Sequence, residues 1–458
     1  MSDNMQKYDN ILDKFTRLES PRKRALHRLQ FHFKRLLWGA IIWFGSVAKR
    51  TLDIFLSLCF LLFALPILVL VYIRIRISGD KAIHAQPCIA KDGYAFPLYC
   101  FNRQKGWLLS FSLYKLPLLF NILKGDMSFV GPSPVAMDGN RALPEYAQCL
   151  TRPGLLNPYL LRKAANIAHE GRNTADREYI HRQSMKGDVG IMLRSLIMLA
   201  VAKGSVETAE KINMLDITIH NMTMTEAVDA IVHHAASRQP TQLAFVNPDC
   251  MNISCTNPAY KALLQDVPLV LADGIGIHLA CRILATGMAD NVNGTDLFPY
   301  ICERACEENI PLYFLGGKEG IAEAMVERLQ ERFQGLPVAG YHHGYFSDDE
   351  EADILHDIRN SGACILLVAF GAPRQDLWIH EHLDELGVGL AMGVGGLFDF
   401  MSGRVQRAPR WIREMGMEWA YRLLQEPGRM WHRYVIGNPL FLWRIRRWHR
   451  KEMLRMSK

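Results

Sequence analysis

Two hydrophobic patterns divide the chain. In its first part, residues 54–73 form a run of twenty positions without charge, and residues 36–48 form a shorter apolar run. In its second part, short apolar runs alternate with amphipathic segments of helical period. The first pattern predicts a helix that, at about 1.5 Å per residue, is long enough to cross a bilayer core. The second predicts a sheet covered by helices.

The alternating pattern starts near Val206. Six runs have the character of buried strands that lead into polar or glycine turns: TQLAFVNPD, VPLVLADG, IPLYFLGG, LPVAGYHHGYF, CILLVAFGAP and VGLAMGVGGLFD. Segments such as GIAEAMVERLQERF have the period of a helix. We therefore predict an α/β fold with a mostly parallel sheet and a ligand site at the carboxyl ends of its strands. The residues expected there are Asn247, Asp273, Gly316, Gly317, Gln375, Gly395 and Gly396.

The long apolar run has positive charge on both sides. Residues 21–52 contain eight Lys or Arg and no acid, and two more arginines follow the run within three residues. Both flanks favour the cytoplasmic side of a membrane, and Pro66 removes one helical hydrogen bond near the middle. We therefore predict a re-entrant hairpin, with a true span as the alternative. Residues 36–48 are expected in the membrane interface or in a buried helix.

Composition narrows the class of protein further. The chain has 458 residues, and its net charge of +7 is concentrated in the first basic segment and in residues 404–458, which hold fourteen Lys or Arg against four Glu. Because the first basic segment adjoins the apolar run, membrane lipid is a better partner than nucleic acid. The ten cysteines lack ligand spacing and are expected to be reduced thiols. His342 and His343 should point apart on a strand, so we assign no metal.

The stretches KRTLDIFLSLCFLLFALPILV and LPLLFNILKGDMSFVGPSP resemble the bacterial sugar transferases, the monotopic polyprenyl-phosphate phosphoglycosyl transferases. In that family an Asp-Glu pair before the second stretch carries the nucleophile. The matching positions here are Tyr114 and Lys115, and the arginine of the family's GPRP turn is Ser133. An amine cannot replace a carboxylate nucleophile or its affinity for metal. We therefore expect an inactive, mainly helical membrane domain over residues 49–205, preceded by a basic segment over residues 1–48, with a bifunctional enzyme as the alternative. Within this domain we predict that an amphipathic helix begins at Phe111 and leads to a turn at GDMS.

The second part of the chain resembles another family. AFVNPD, LADGIG, NVNGTDL, FLGGKEG, VAFGAPRQDLWI and GVGGLFDFMSGRVQRAPRWI resemble, in this order, the WecB/TagA/CpsF glycosyltransferases. The resemblance implies a Rossmann-like domain, residues 206–403, and a basic appendage, residues 404–458. It also implies inverting transfer of a sugar from a UDP-sugar to a polyprenyl-diphosphate-linked saccharide in surface polysaccharide synthesis, without cofactor or metal. Asp273 matches the family's proposed base, and Asn247 and Gln375 match its Asn and Gln.

The same resemblance implies binding residues and partners. Besides the four glycines named above, the residues expected to bind substrate are Asn293, Asp296, Arg407, Arg410, Arg413, Arg422 and Arg429. Cations among them would offset the charge of the departing UDP. The expected location is the cytoplasmic face of the bacterial inner membrane. A separate initiating phosphoglycosyl transferase and a second copy of the chain stay open as partners, and a non-catalytic scaffold stays open as a function.

Two of these assignments have a simpler alternative. Asp273 stands just before a predicted helix, where an Asp commonly serves as the N-cap. Gln375 has the alternative of an ordinary polar residue at the surface. Each alternative predicts a definite position for the side chain: at a helix N-terminus for Asp273 and at the surface for Gln375.

Overall fold

The computed structural model describes residues 21–102, 113–137, 150–165, 171–201, 209–237 and 239–456. The chain forms two compact units. The first comprises the chain up to Phe101 together with Leu116–Leu155 and Arg182–Val189. The second comprises Asn102–Lys115, Leu156–His181 and Gly190–Lys458. The first twenty residues of the predicted basic segment lie outside the described residues.

The first unit is built on one long helix, α1, Pro21–Ile77. The helix includes Pro66 without a break, so the predicted re-entrant hairpin is not confirmed. Proline removes one hydrogen bond from a helix, and the ladder of the other residues continues past it. Residues 36–48 belong to the same helix, and their described large apolar side chains are exposed. Among the described residues, this is the one helix long and apolar enough to cross a membrane.

The NILKGDMSFVGP segment binds α1 at the positions just before the uncharged run of that helix. Arg50 donates hydrogen bonds of 2.6 and 2.8 Å to two carbonyl oxygens of helix α2, Leu118–Lys124. Lys49 donates one of 2.8 Å to a carbonyl oxygen of the strand Ser128–Val130, and the buried Asp53 accepts one of 3.0 Å from an N–H of the same strand. The segment therefore fixes the helix immediately before its uncharged run begins.

The prediction of a mainly helical first domain missed a hairpin. In chain order the strands of this part are β1 (Ile83–Ile89), β2 (Ala95–Phe101), β3 (Ser128–Val130), β4 (Val135–Ala136) and β5 (Gly154–Leu156). One sheet has the order β2-β1-β4, and β3 pairs with β5. Strand β1 is exposed along most of its length, so it lacks the alternation that marks a half-buried strand. Helices α3 (Pro158–Ala164), α4 (Arg172–Arg182) and α5 (Met185–Val201) follow.

The second unit contains an eight-stranded sheet. Its strands in chain order are β6 (Lys211–Met214), β7 (Ile217–His220), β8 (Thr241–Val246), β9 (Leu269–Ala272), β10 (Leu312–Gly316), β11 (Val338–His342), β12 (Ile365–Ala369) and β13 (Leu390–Gly393). Their spatial order is β11-β10-β12-β13-β8-β9-β7-β6, with β6 and β7 antiparallel and the central pairs parallel. All six predicted strands are present, which confirms the mostly parallel α/β sheet.

Helices cover both faces of this sheet. Neighbouring strand residues separate into two cores, with Leu243 and Phe245 in one and Ala244 and Val246 in the other. The first face carries α6 (Met224–Ser237), α10 (Gly294–Glu308), α11 (Ile321–Arg332) and α14 (Leu397–Met401). The second carries α7 (Pro248–Ser254), α8 (Pro258–Asp266), α9 (Ile275–Ile283), α12 (Asp348–Asn360), α13 (Arg374–His382) and α18 (Asn438–Met456). Along the chain, α14 is followed by α15 (Arg410–Arg413), α16 (Glu418–Gln425), α17 (Pro427–Trp431) and a π-helical turn, His432–Gly437, and then by α18.

A buried polar network lies on the second face. The Tyr260 hydroxyl donates a hydrogen bond of 3.0 Å to the carboxylate of Asp376, and the Gln242 side chain donates one of 2.8 Å to the Asp376 carbonyl oxygen. Burial raises the pKa of Asp376 to about 7, although its hydrogen bonds act to lower it. This carboxyl group therefore keeps its proton to a much higher pH than an exposed Asp does.

Candidate active site

Two cavities open at the carboxyl edge of the large sheet. The larger, which we call the wide cleft, has a volume of about 760 Å³, and the smaller, the narrow cavity, about 170 Å³. They lie beyond the carboxyl ends of its parallel strands, where α/β sheets commonly bind ligands. Both cavities are lined by Asn247, Asp249, Asp273, Thr295, Phe400, Arg422 and Arg433.

Asp273 lies where the two cavities meet. It directly follows β9, and its N–H donates a hydrogen bond of 2.8 Å to the carbonyl oxygen of Val246. Helix α9 begins only at Ile275, with Gly274 at the N-cap and no side-chain cap hydrogen bond. The alternative that Asp273 caps this helix is therefore wrong.

The surroundings of Asp273 change its acidity in both directions. Burial raises the pKa of its carboxyl group above the usual value. The positive charges of Arg433 and Arg422 and a hydrogen bond with the Asn247 side chain oppose this rise, while Glu418 adds to it. A carboxylate that binds a proton more firmly than in water, yet is kept ionisable by cations, suits removal of a proton during a reaction.

Asn247 orients the Asp273 carboxylate. It directly follows β8 and is the N-cap of α7, where its side-chain oxygen accepts hydrogen bonds of 3.0 and 3.1 Å from the N–H groups of Asp249 and Cys250. Because the oxygen is used in this way, the side-chain NH₂ group is the part of Asn247 that is available to the Asp273 carboxylate. This arrangement suits Asn247 to hold the Asp273 carboxylate in place.

Gln375 joins two loops of the wide cleft. Its side-chain oxygen accepts hydrogen bonds of 3.1 Å from the N–H of Gly371 and 3.0 Å from the N–H of Gly395, which follow β12 and β13. The side chain is only 4% exposed, so the alternative of a surface polar residue is wrong. Gln375 sets the spacing of these loops instead of presenting its oxygen to a ligand.

Glycines form much of the floor of the wide cleft. Gly316 comes one residue before this floor and does not itself line the cleft. It has φ 139°, and a Cβ there would lie 2.8 Å from Ala369 of the neighbouring strand. A Cβ on Gly396 would lie 2.7 Å from the guanidinium group of Arg422. A ligand in the cleft therefore meets backbone directly. The predicted glycines that line the cleft are Gly317, Gly395 and Gly396.

Four of the predicted arginines reach a cavity. Arg407 and Arg413 line the narrow cavity, Arg429 lines the wide cleft and Arg422 lines both. Arg433 also lines both, and lies 3.6 Å from the carboxylate of Asp249. The sequence places Arg433 in the basic segment but does not single it out, because its position depends on the π-helical turn before α18.

The carboxylate of Asp296 joins two residues in the wall of the narrow cavity, Asn293 and Arg407. Asn293 caps α10: its oxygen accepts a hydrogen bond of 2.9 Å from the Asp296 N–H, and its NH₂ group donates one of 2.7 Å to the Asp296 carboxylate. Arg407 pairs with the same carboxylate at 2.6 Å and with Glu418 at 3.1 Å. Burial acts to raise the pKa of Asp296, but Arg407 outweighs it and holds that pKa below the usual value.

Arg410 is a predicted binding residue that lines neither cavity. It is exposed and donates hydrogen bonds of 2.7 and 2.8 Å to the two carboxylate oxygens of Glu178. Arg410 is therefore not placed to bind a ligand in the wide cleft or the narrow cavity.

Two expectations about local geometry need correction. The rings of His342 and His343 have centroids 4.3 Å apart, because β11 ends at His342 and strand alternation does not extend to the next residue. Tyr114 and Lys115 lie in a 3₁₀ turn, Leu113–Lys115, and the helix that follows begins only at Leu118. The start of the predicted helix at residues 111–112 lies outside the described residues.

A mostly parallel sheet whose carboxyl edge carries an arginine-lined cleft and a carboxylate of raised pKa suits an α/β enzyme that acts on an anionic substrate. Comparison with known proteins identifies the kind of enzyme. Residues 212–455, more than half of the chain, match the glycosyl transferase WecG/TagA/CpsF family, and the chain belongs to this family of glycosyltransferases. Residues 102–202 match the bacterial sugar transferase family.

Two relatives show the extent of the likeness. An N-acetylglucosaminyldiphosphoundecaprenol N-acetyl-beta-D-mannosaminyltransferase from Bacillus spizizenii is 33% identical over 189 residues, which cover 41% of this chain and 72% of the relative. A protein of the same name from Staphylococcus aureus strain MW2 is 29% identical over 243 residues, 53% of this chain and 94% of the relative. Both family resemblances noted in the sequence are thereby confirmed.

Proposed function

We propose that this glycosyltransferase moves a sugar, with inversion, from a UDP-sugar to a saccharide carried on polyprenyl diphosphate. The wide cleft holds the donor and the narrow cavity admits the acceptor hydroxyl. The observation that carries the proposal is the position of Asp273, a carboxylate of raised pKa at the place where the two cavities meet.

The wide cleft has the size and charge that a nucleotide sugar requires. Its volume of about 760 Å³ lies within the usual range for small-molecule sites, about 300–1,000 Å³. Its arginines, Arg422, Arg429 and Arg433, are available to offset the charge of the departing diphosphate.

The chemistry follows from this arrangement. Asp273 accepts the proton of the acceptor hydroxyl while the hydroxyl oxygen forms a bond to the anomeric carbon and the bond from that carbon to UDP breaks. Attack opposite the leaving group inverts the anomeric centre. Asp249 is the rival base because it lines both cavities, but it faces Arg433 at 3.6 Å and accepts no hydrogen bond from Asn247 comparable to that of Asp273.

The names of the relatives support an acceptor class. They describe transfer of N-acetylmannosamine to N-acetylglucosaminyldiphosphoundecaprenol. We propose that the acceptor here is likewise a saccharide on undecaprenyl diphosphate, and that the product serves the synthesis of a cell-surface polysaccharide.

The first part of the chain is proposed to be a membrane anchor without phosphoglycosyl transferase activity. Apolar side chains of α1 such as Phe55, Phe63 and Leu70 are more than half exposed, which favours insertion into lipid. Tyr114 and Lys115 replace the carboxylate pair. We propose that residues 49–205 form this anchor at the cytoplasmic face of the inner membrane and that residues 206–403 with the appendage 404–458 form the catalytic part.

One assay tests the catalytic proposal. Membranes containing the full chain are offered a panel of UDP-sugars with undecaprenyl-diphosphate mono- and disaccharides, and UDP and UMP are measured separately. We expect UDP release that requires both a donor and a lipid acceptor, and no UMP. Absence of UDP release across the panel contradicts the proposal, while UMP release from undecaprenyl phosphate that is lost in Tyr114→Phe favours a bifunctional enzyme.

A labelling experiment tests the membrane topology. Single cysteines placed before residue 36 and after Arg76 should both resist a reagent applied from the periplasm, because both basic flanks favour the cytoplasm. Labelling of the N-terminal cysteine alone would show that α1 spans the membrane.

A further inference from the structure

We propose that helices α3, α4 and α5 complete the acceptor side of the glycosyltransferase site. Ala165 forms part of the wall of the narrow cavity, and Glu414, held by Arg162 and Arg194, positions another part of it. This inference rests on the proposed function, in which the narrow cavity admits the acceptor hydroxyl. It gives residues 156–201 a second role besides membrane anchoring.

One stretch of the sugar-transferase-like part reaches the narrow cavity. Leu156–His181 belongs to the same compact unit as the large sheet. It nevertheless lies within the match to the bacterial sugar transferase family and before the match to the glycosyltransferase family. Ala165, the residue after α3, is 3% exposed and lines the narrow cavity together with Asp273. A residue from outside the glycosyltransferase match therefore helps to enclose the proposed base.

A buried cluster of charges fixes Glu414, the residue after α15. Its side chain is almost fully buried. One carboxylate oxygen accepts a hydrogen bond of 3.1 Å from Nε of Arg162, on α3, and the other accepts one from Arg194, on α5. Because a buried carboxylate is costly unless it is paired and hydrogen-bonded, the position of Glu414 depends on these two arginines.

Glu178, on α4, extends the cluster to the start of α15. Its carboxylate accepts a hydrogen bond of 2.7 Å from Arg162 and bonds of 2.7 and 2.8 Å from Arg410. Burial acts to lower the pKa of Arg162, but the hydrogen bonds and charges of Glu178 and Glu414 outweigh it and raise that pKa. Both ends of α15 are therefore held by helices that precede the glycosyltransferase match.

The neighbours of Glu414 in the chain form the cavity wall. Arg413 comes just before it, and Gly416 and Glu418 follow within four residues; all three line the narrow cavity. Like Ala165, these residues lie outside the wide cleft. A displacement of Glu414 therefore changes the surface on which the acceptor rests and leaves the lining of the donor cleft in place.

The acceptor is also the substrate that carries a lipid. Along the chain, α3, α4 and α5 continue the part that is proposed to anchor the protein in the membrane. In the proposed reaction the acceptor, unlike the UDP-sugar, is attached to a polyprenyl chain. A cavity wall supplied by these helices therefore contributes to the choice of a lipid-linked acceptor.

Two variants test the proposal in membranes that contain the full chain. Ala165→Leu adds bulk to the wall of the narrow cavity and leaves the ion cluster intact. Arg194→Ala removes one partner of Glu414, which keeps its hydrogen bond from Arg162. UDP release is measured with a productive donor and lipid acceptor, each varied at saturation of the other, so that a separate KM is obtained for each substrate.

Each variant has a matched control outside both cavities. Ala164→Leu adds the same bulk one residue away, where Ala164 packs against the same small apolar core as Ala165. Lys163→Ala removes an exposed cation of α3. The double variant Arg194→Ala, Glu414→Gln is compared with Glu414→Gln alone, because a residue that acts through the Glu414 carboxylate adds nothing once that charge is gone.

We expect kcat/KM for the acceptor to fall by about ten- to a hundredfold in Ala165→Leu and in Arg194→Ala, chiefly through its KM, the usual cost of a crowded or displaced binding wall. The KM for the donor and both controls should match the wild type, and the double variant should match Glu414→Gln. Ala165→Leu decides the question if Arg194→Ala yields little folded protein.

Two results overturn the inference: an unchanged KM for the acceptor in Ala165→Leu, or an equal rise in the KM for the donor. A wild-type chain that releases no UDP with any donor and lipid acceptor contradicts the proposed function itself.

Discussion

Replacing Asp273 by Asn removes the proposed base and little else. The backbone hydrogen bond of Asp273 to Val246 does not involve the side chain, and α9 is capped at Gly274. Asn has nearly the same shape, and it removes a carboxyl group whose ionisation burial disfavours, so we expect no loss of thermal stability. Turnover at saturating substrate should fall by about 10² to 10⁴, the usual value of a general base, which corresponds to about 3–5 kcal/mol of barrier.

The pH dependence of the rate gives a second measure of the same residue. Because burial raises the pKa of Asp273 above the usual value for Asp, protonation removes the base at a higher pH than for an exposed carboxyl group. The wild-type rate should therefore fall as the pH is lowered through this raised pKa and level off above it. The residual rate of Asp273→Asn should lack this acidic limb.

The assay is UDP release with a productive donor and lipid acceptor, measured from pH 4 to 9. Asp249→Asn serves as the comparison, since Asp249 is a carboxylate that lines the same two cavities. That variant should keep the acidic limb. Near-normal turnover by Asp273→Asn, or loss of the limb in Asp249→Asn instead, would refute the assignment of the base.

Three further predictions follow from the structure. Asn247→Asp keeps the helix cap but puts a second carboxylate beside Asp273, so the acidic limb should move up by about one pH unit or more; an unmoved limb contradicts the positioning role. Arg422→Ala should raise the KM for the donor about tenfold or more with its pH profile intact, whereas Arg410→Ala, outside both cavities, should not. Asp376 has a folded pKa of about 7 against 3.8 for an ordinary Asp, so its contribution to wild-type stability should fall, by up to about 4 kcal/mol, as pH rises from 4 to 7. The melting temperature of Asp376→Asn should therefore gain on the wild type over that range, and an equal gap at pH 5 and pH 8 contradicts this.

The sequence predicts the sheet and the residues at its carboxyl edge because both follow from local rules. Asn247, Asp273 and Gly395 each come directly after, or within two residues of, a run of buried strand residues, and parallel strands bring such positions to one edge. The role of Gln375 depends on two hydrogen bonds that join the loops after β12 and β13. No spacing in the sequence specifies those bonds.

The edge hairpin of the large sheet shows why a strand pair can escape such rules. Leu215 and Asp216 form its two-residue turn with φ of 54° and 68°. Turns with two positive φ angles usually contain Asn-Gly or Asp-Gly, and that dipeptide is the sequence signal for them. A Leu-Asp turn gives no such signal, so the strands on either side are not recognised.

The arginines of the C-terminal segment could not be sorted by sequence either. Arg410, Arg413, Arg422 and Arg433 lie on short helices and a π-helical turn, and their directions depend on how these pieces turn relative to the sheet. Residues beyond strand ends offered a better signal. Tyr345 and Arg374, which also line the wide cleft, lie three and five residues beyond β11 and β12, so a slightly longer reach of the rule that identified Asn247 finds them.

The attachment of α1 does not depend on the side chains that the related transferases use for catalysis. On the motif's side, the hydrogen bonds to Lys49, Arg50 and Asp53 come from main-chain carbonyl and amide groups. The contacts that hold α1 therefore depend on the backbone of the motif, whereas the nucleophile of the related transferases is supplied by the pair of side chains before it. On the proposal that Tyr114 and Lys115 leave the first part of the chain inactive, these backbone bonds would still hold α1. The motif NILKGDMSFVGP therefore indicates how α1 is attached, and the two residues before Leu116 carry the separate prediction about catalysis.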